Sequence, residues 1–385
     1  MRSGGPRSPA PDSEPGNDVR WPIVELTSPT LVVACGVLAL CLPVLIVLTW
    51  RRRPHGIPGM AVRLLGILLS QALAIGTVLL IGNNTYNFYN NWNDLLGGGN
   101  GPVPTVAAGT LVPADGSQGR VVSLTVRAPG AKGPGGERLP VLVWLPKQYD
   151  QPQFKRTRFP VLMVLPGQPS TPQGVFEGMA FGQQAAAIID SGKVKPFVAV
   201  LPPIMIDPPR DTECTNVPNG PQAESWLYEN VRSQVIAKLR VDRQGLHWSA
   251  LGWSTGGFCA AKLLLRHREL FNAAVSIGGY FTAETDHTTG DLFGGSRQLR
   301  NANSPSWLIK QSGALESNIL VVVSAVDRES YRGVAYADGE RFIAQTRGTP
   351  GVATIVLPSG GHSFKTYRPT IPASLSWLQQ TGSLG

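Results

Sequence analysis

A serine in a glycine-rich turn is the side chain of this sequence best suited to act as a nucleophile. Ser254 lies in Gly252-Trp253-Ser254-Thr255-Gly256, after an apolar run and before a segment rich in alanine and leucine. That order predicts a strand, a tight turn and a helix, with G-x-S-x-G at the turn, where a strained backbone exposes the serine hydroxyl. The other interpretation is a structural glycine-rich turn, since the pattern also occurs in ordinary loops.

A serine hydroxyl needs a base to take its proton, and the base needs a carboxylate to orient it. Among the five histidines, His362 follows an apolar run and two glycines and precedes the last predicted helix. Asp327 follows the buried apolar run 319–324, and Glu329, two residues further on, is the alternative acid. A carboxylate in this place could also be a helix cap. The order Ser254, Asp327, His362 predicts a catalytic triad.

Two main-chain amides are needed to stabilise an oxyanion beside the serine. One should belong to Thr255, the residue after the nucleophile. The other should come from the loop after the apolar run 161–165. Because Pro166 and Pro169 have no N–H to donate, Gln168 is the best candidate there. The alternative for this loop is a proline-rich surface turn.

Alternating strand-like and helix-like segments must position these residues. The strand-like segments are 121–126, 140–145, 160–165, 197–201, 273–277, 319–324 and 353–357, and the helix-like segments are 176–189, 223–239, 332–346 and 369–378. Continuous apolar strands separated by helices predict an α/β fold with a mostly parallel sheet covered by helices on both faces. The polar segment 280–310 is long enough to be a lid or an acceptor site.

Several short stretches carry a family resemblance. They are Leu165-Pro166-Gly167-Gln168, Gly252-Trp253-Ser254-Thr255-Gly256-Gly257-Phe258-Cys259-Ala260, Gly278-Gly279-Tyr280-Phe281 and Gly361-His362-Ser363-Phe364, with Trp377 near the end. Together they resemble the putative-esterase family of α/β-hydrolases, which includes esterase-D-type carboxylesterases, feruloyl-esterase-like enzymes and secreted mycolyltransferases. The resemblance covers the chain from about residue 121 to its end. With the apolar runs that precede it, the sequence resembles the membrane-anchored actinobacterial members of the family. This resemblance implies an α/β-hydrolase fold.

The resemblance implies ester chemistry at a serine. The expected activity is that of a serine carboxylesterase that forms an acyl-enzyme on a small ester, lipid or glycan substrate. One alternative is a mycolyltransferase-like acyltransferase that moves an acyl group to an envelope glycan or lipid. Further alternatives are a non-catalytic surface scaffold with the hydrolase fold and a serine peptidase. The nucleophile turn departs from the G-L-S-M-A-G of the mycolyltransferases, which favours an esterase.

Two apolar runs near the N-terminus have the length of membrane spans. Residues 31–50 form an uncharged run of about 30 Å as a helix. Residues 64–81 form a second run, for which a buried amphipathic helix is the alternative. Basic residues are concentrated between the runs, in 51–63, so the positive-inside rule places this linker in the cytoplasm. The predicted location is therefore the cell membrane. We expect a multi-pass protein whose soluble part is extracytoplasmic and whose two helices have the lipid bilayer as their partner.

Composition completes the predicted organisation. We expect a disordered tail over 1–28, two transmembrane helices over 29–82, a linker over 83–118 and the α/β-hydrolase domain over 119–385. The formal net charge is +9, but the basic residues are scattered along the chain or lie next to the apolar runs. The sequence has no basic helical segment with interleaved aromatic residues. This excludes nucleic acid as an expected partner.

The four cysteines predict neither a metal site nor a cofactor. Cys35 and Cys41 lie in the first apolar run, and the chain has no C-x-x-C and no His/Cys ligand spacing. Cys214 and Cys259 lie in the part placed outside the cell, where oxidation is possible. We predict that these two form a disulfide, and the alternative is a pair of buried thiols.

Overall fold

The computed structural model describes residues 28–50, 56–86, 112, 116–131, 137–312, 318–331 and 337–385. The chain divides into two compact units between Gly82 and Asn83. Apart from Ser28, the tail predicted over 1–28 lies outside the described residues, as does most of the linker predicted over 83–118. The domain boundaries assigned there stay predictions.

The first unit contains two long apolar helices, α1 (Pro29–Leu48) and α2 (Ile57–Tyr86). The apolar windows, 20 residues of α1 and the 25 residues Pro58–Gly82 of α2, have mean hydropathies of 3.0 and 2.3. The Ser70 hydroxyl donates to the Ala39 carbonyl at 2.9 Å, which joins the two helices and satisfies a buried polar group. Both helices are long and apolar enough to cross a membrane.

The second unit contains an eight-stranded sheet in the order β1-β2-β4-β3-β5-β6-β7-β8. The strands are β1 (Arg120–Arg127), β2 (Arg138–Leu145), β3 (Val161–Leu165), β4 (Val198–Leu201), β5 (Trp248–Trp253), β6 (Ala273–Ile277), β7 (Asn318–Ser324) and β8 (Val352–Leu357). β1 and β2 pair antiparallel with their neighbours, and the six strands from β3 to β8 are parallel. The central strands are buried and largely apolar because both faces are covered, although Ser249 in β5 and Ser276 in β6 are buried polar residues.

Helices lie on both faces of the sheet. They are α3 (Pro172–Gly178), α4 (Phe181–Asp190), α5 (Ala223–Ser225), which continues through a π-helical turn (Trp226–Val231) into α6 (Arg232–Lys238), α7 (Thr255–Arg266), α8 (Arg297–Ala302), α9 (Pro305–Gln311), α10 (Asp338–Gln345), α11 (Phe364–Tyr367) and α12 (Ile371–Gln380). One buried apolar cluster includes Trp226 and Leu263, and the other includes Ile188 and Leu375. The predicted α/β architecture is confirmed.

Two segments differ in detail from the sequence prediction. The helix predicted over 176–189 is two helices, because Ala180 takes a left-handed conformation with φ 47° and ends the first. The helix predicted over 332–346 is described only from Asp338 onward. Within the polar segment 280–310, the chain forms α8 and most of α9.

Parallel strands bring the predicted reactive residues to one edge of the sheet. Ser254 follows β5, Asp327 lies three residues after β7, and His362 lies five residues after β8. The carboxyl ends of neighbouring parallel strands meet at the same edge, which is where α/β folds place their sites.

Candidate active site

The nucleophile turn is a sharp connection between β5 and α7. Ser254 has φ 55° and ψ −123°, a backbone conformation that L-residues seldom adopt. Its N–H donates to the Ile277 carbonyl at 2.9 Å, which ties the turn to the end of β6. A Cβ on Gly256 would lie 2.2 Å from the Leu165 carbonyl oxygen, so only glycine fits this close approach.

The serine, the histidine and the aspartate form a continuous relay. His362 Nε2 lies 2.9 Å from Ser254 Oγ, and His362 Nδ1 lies 2.9 Å from Asp327 Oδ2. The imidazole stacks on the indole of Trp253, with ring centroids 4.3 Å apart. His362 and Asp327 are buried, whereas Ser254 is partly exposed. This geometry lets the imidazole take the serine proton while the carboxylate stabilises the charged ring.

Hydrogen bonds hold Asp327 in its charged form. Its Oδ2 accepts from the Ser330 hydroxyl at 2.7 Å and from the Tyr367 hydroxyl, and its Oδ1 accepts from the Glu329 N–H at 3.0 Å. Burial alone would raise the pKa of Asp327, but the charge of His362 and these hydrogen bonds lower it to about 2. The carboxylate is therefore ionised at neutral pH.

Glu329, the alternative acid, lies on the opposite side of the imidazole. Its Oε2 is 3.3 Å from His362 Nε2, the nitrogen that faces Ser254, and its side chain is 36% exposed. Burial alone would lower the pKa of His362, but Asp327 and Glu329 together raise it to about 9. The structure therefore brings Asp327, and not Glu329, to the nitrogen that an orienting acid must contact.

The loop after β3 passes directly over the nucleophile. A Cβ on Gly167 would lie 2.7 Å from Ser254 Cβ, so the predicted donor Gln168 is one residue from this contact. On the other side, the Thr255 amide opens α7, where the first N–H groups have no acceptor within the helix. Of the two predicted oxyanion donors, Thr255 is thus next to Ser254 in sequence, and Gln168 follows the glycine that contacts Ser254.

A cavity of about 440 Å³ adjoins this loop. It is lined by Gln168, Pro209, Arg210, His287, Thr288, Thr289 and Gly290. The Arg210 guanidinium donates to the carbonyls of Thr289 and Asp291, at 2.7 Å each, which fixes its orientation. The wall of the cavity therefore carries a positive charge in a fixed orientation.

Comparison with known proteins shows which family has a sequence like this one. Residues 135–378 match the family described as "Putative esterase". The chain belongs to this esterase family. The predicted family resemblance is thereby confirmed, and the domain is that of a serine esterase or acyltransferase with an α/β-hydrolase fold.

Known proteins similar to this esterase-family chain share little sequence identity with it. An uncharacterized protein of Corynebacterium glutamicum is 23% identical over 256 residues, which cover 62% of this chain, and the chain spans 56% of the length of that relative. An S-formylglutathione hydrolase from Agrobacterium tumefaciens has a TM-score of 0.57 and 16% identity, over 73% of this chain and 98% of that one. The fluorophosphonate-binding serine hydrolase F of Staphylococcus aureus has a TM-score of 0.55 and 18% identity, over 68% and 98%. These structures confirm the fold.

A buried acidic cluster lies beside Thr255, the predicted oxyanion donor of this esterase-family domain. The Thr255 hydroxyl donates to Asp211 Oδ2 at 3.1 Å, and Asp211 Oδ1 accepts from the Glu213 N–H at 2.8 Å. Burial raises the pKa of Asp211, and burial together with Asp211 raises the pKa of Glu213 to about 8. Lys262 Nζ donates to the Glu213 carbonyl at 2.6 Å, and burial lowers the pKa of Lys262 to about 8.

A disulfide attaches the loop of this acidic cluster to the nucleophile helix. The predicted partners Cys214 and Cys259 are joined, with their Cα atoms 5.8 Å apart and a separation of 45 positions in sequence. Cys259 lies in the second turn of α7, five residues after Ser254. The bridge therefore connects the segment that carries Asp211 to the helix that presents the nucleophile.

Sequence reasoning missed three residues that support the triad of this family member. Tyr367 contacts the Asp327 carboxylate, Trp253 stacks on His362, and Asp211 binds the side chain of Thr255. The position of Trp253 inside G-x-S-x-G was a signal, since its ring must lie beside the turn. The Asp211 contact has no local signal because it joins residues 44 apart.

Proposed function

We propose that this protein is a membrane-anchored serine carboxylesterase whose catalytic domain is extracytoplasmic. The observation that carries the proposal is the relay from Ser254 through His362 to Asp327, with both hydrogen-bond distances at 2.9 Å. It lies at the carboxyl edge of the sheet in a domain of the esterase family. Two such contacts with the correct atoms of the imidazole are the arrangement that activates a serine.

The reaction follows from the positions of these groups. Ser254 Oγ attacks the ester carbonyl while His362 Nε2 takes its proton, and the Thr255 and Gln168 amides stabilise the oxyanion. The imidazolium then gives its proton to the leaving alcohol, which leaves an acyl group on Ser254. Water, deprotonated by the same imidazole, releases the acid and restores the serine. Throughout, Asp327 stabilises the charged ring.

Transfer to an alcohol is the second candidate, and the Arg210 and His287 side chains in the cavity beside the oxyanion loop favour it. The cavity of about 440 Å³ offers the Arg210 guanidinium and the His287 ring as hydrogen-bonding partners for the hydroxyl groups of a glycan or glycerol headgroup. An acceptor held in place competes with water only if it is oriented against the acyl-enzyme. The measurement is product partitioning with a model ester and sugar or glycerol acceptors. If the ratio of acylated acceptor to free acid exceeds the molar ratio of acceptor to water, transfer is the main activity.

The membrane assignment rests on the two apolar helices and the charge between them. The basic linker 51–63 supports a cytoplasmic loop, and the joined pair Cys214 and Cys259 supports an oxidising compartment for the hydrolase domain. Protease added to intact cells should therefore digest this domain, and a reporter fused after Gly385 should be active only outside the cytoplasm. Protection of the domain from protease would refute this topology.

The activity itself is tested with a fluorophosphonate probe on intact membranes. The probe should label the full chain at Ser254, and Ser254→Ala should abolish labelling. A neighbouring hydroxyl provides the matched control: Ser363→Ala should still be labelled, because Ser363 caps α11 and does not contact Ser254. A chain that is not labelled under any condition would be a scaffold, not an esterase.

A further inference from the structure

The base of the triad contacts two carboxylates, one on each ring nitrogen. Asp327 Oδ2 lies 2.9 Å from His362 Nδ1, and Glu329 Oε2 lies 3.3 Å from Nε2. Nε2 is also the atom that must take the proton of Ser254, whose Oγ lies 2.9 Å away. A Ser-His-Asp relay does not need a second carboxylate at this nitrogen. Its presence therefore calls for a role of its own.

The protonation of the ring follows from these contacts. A neutral imidazole that donates from Nδ1 to Asp327 would direct the lone pair of Nε2 toward the Glu329 carboxylate, and the two would repel. An imidazolium donates from both nitrogens, so it satisfies both carboxylates and shares its Nε2–H between Glu329 and Ser254. The raised pKa of His362, about 9, agrees with this arrangement. The resting ring therefore carries a proton on Nε2, which it must release to solvent before it can accept the proton of Ser254.

Of the two carboxylates, Glu329 is the one that a substrate can reach. Asp327 is fully buried beneath the ring, whereas the Glu329 side chain is 36% exposed. The charges of Asp327 and Glu329 are the ones that raise the pKa of His362, and three neighbouring groups carry no charge. They are the Trp253 indole, the Gly278 backbone and the Tyr367 phenol, whose pKa burial and Asp327 raise far above neutrality.

We propose that Glu329 is a positioning residue that holds the proton of His362 in the resting enzyme and selects the alcohol part of the ester. This inference rests on the proposed esterase function. The leaving oxygen must approach Nε2–H to be protonated, so the alcohol part meets the Glu329 carboxylate. An alcohol with a positive charge or hydroxyl donors engages Glu329, the imidazolium then gives its Nε2 proton to water, and Nε2 can accept the proton of Ser254. An anionic alcohol is repelled.

The first test measures how fast a fluorophosphonate probe labels the full-length protein in detergent as a function of pH. Labelling of the wild type should be half-maximal near pH 9, the pKa of His362. Glu329→Gln keeps the shape of the side chain and removes the charge, so its half-maximal pH should fall by about one unit, and labelling at pH 7 should rise about tenfold. Glu340→Gln is the matched control: this exposed carboxylate on α10 makes no contact with His362 in the described residues, and its profile should equal that of the wild type.

The second test compares two acetate esters that differ only in charge, acetylcholine and its uncharged analogue 3,3-dimethylbutyl acetate. The wild type should favour the cation in kcat/KM, and Glu329→Gln should reduce this preference about fivefold, the effect of one partly exposed charge. Circular dichroism establishes that the variant is folded. The ratio compares two substrates on the same protein, so a partial loss of folded protein cancels.

The two experiments distinguish the role of Glu329 from the proposed serine esterase activity. Failure of the wild type to label at any pH overturns both. Labelling of wild type and Glu329→Gln with the same half-maximal pH overturns the inference and leaves the esterase intact. A loss of about 10⁴ in the Glu329→Gln rate would make Glu329 the orienting acid in place of Asp327, and it would also overturn the inference.

Discussion

Replacement of Glu213 by glutamine should stabilise the protein at alkaline pH. Glu213 is fully buried, and its carboxylate accepts hydrogen bonds from the Tyr280 hydroxyl at 2.7 Å and the Glu284 N–H at 3.0 Å. Burial and the neighbouring Asp211 raise its pKa from 4.5 to about 8. Glutamine retains an oxygen for both hydrogen bonds and has no proton to lose.

The sign and size of the effect follow from proton linkage. Between pH 4.5 and 8 the folded protein holds a proton on Glu213 that the unfolded chain has released, so the free energy of unfolding falls as pH rises. A proton held at a pKa of about 8 instead of 4.5 corresponds to at most about 5 kcal/mol. Glu213→Gln should therefore match the wild type within about 1 kcal/mol at pH 5 and exceed it by about 2–4 kcal/mol at pH 8.5.

Calorimetric melting of the full chain in detergent at the two pH values is the assay. The variant should melt several degrees above the wild type at pH 8.5 and at nearly the same temperature at pH 5. Glu340→Gln, an exposed change of the same kind, should leave both temperatures unchanged. The quantity compared is the melting temperature of Glu213→Gln minus that of the wild type. If this difference is smaller at pH 8.5 than at pH 5, Glu213 is charged in the folded protein and the reasoning fails.

The remaining predictions concern the relay, the disulfide and the nucleophile turn. Ser254→Ala and His362→Ala should each reduce ester turnover about 10⁶-fold, and Asp327→Asn about 10⁴-fold, with melting temperatures that show an intact fold. Full turnover in any of these variants would contradict the mechanism. Cys214→Ser with Cys259→Ser should lower the free energy of unfolding by about 4 kcal/mol, since the bridge closes a 45-residue segment, and a melt insensitive to reductant would argue against the bridge. Ser254→Gly should raise the melting temperature while abolishing turnover, because glycine adopts φ 55° without strain. A lower melting temperature would mean that the turn is unstrained.

The order of the elements could be predicted from the sequence because it rests on local patterns. Apolar runs of strand length and the glycines around Ser254 are visible within a few residues, and they predict which side chains reach the carboxyl edge of the sheet. His362 was identified in the same way, from an apolar run followed by glycines. The break at Ala180 was not predictable, since nothing but its backbone conformation ends the helix there.

The second set of residues around the nucleophile depends on tertiary contacts. Asp211 and Glu213 come from a loop without periodicity, and a disulfide to α7 determines where this loop lies. Asp327 and Glu329 are only two residues apart, so the sequence left both open as the acid. In the structure Asp327 contacts Nδ1 of His362 and Glu329 contacts Nε2. Only the path of the loop determines which carboxylate reaches which nitrogen.

The backbone of Ser254 also bears on why this side chain is present in the protein at all. A residue other than glycine in this conformation costs about 1–3 kcal/mol of stability, a sizeable part of what keeps a domain folded. Natural selection for folding alone would favour glycine at this position. A lineage that had abandoned chemistry and kept the protein as an inert surface would be free to drift toward the more stable residue. A serine held there against the preference of its own backbone is expected where its hydroxyl reacts, as it does in the proposed mechanism.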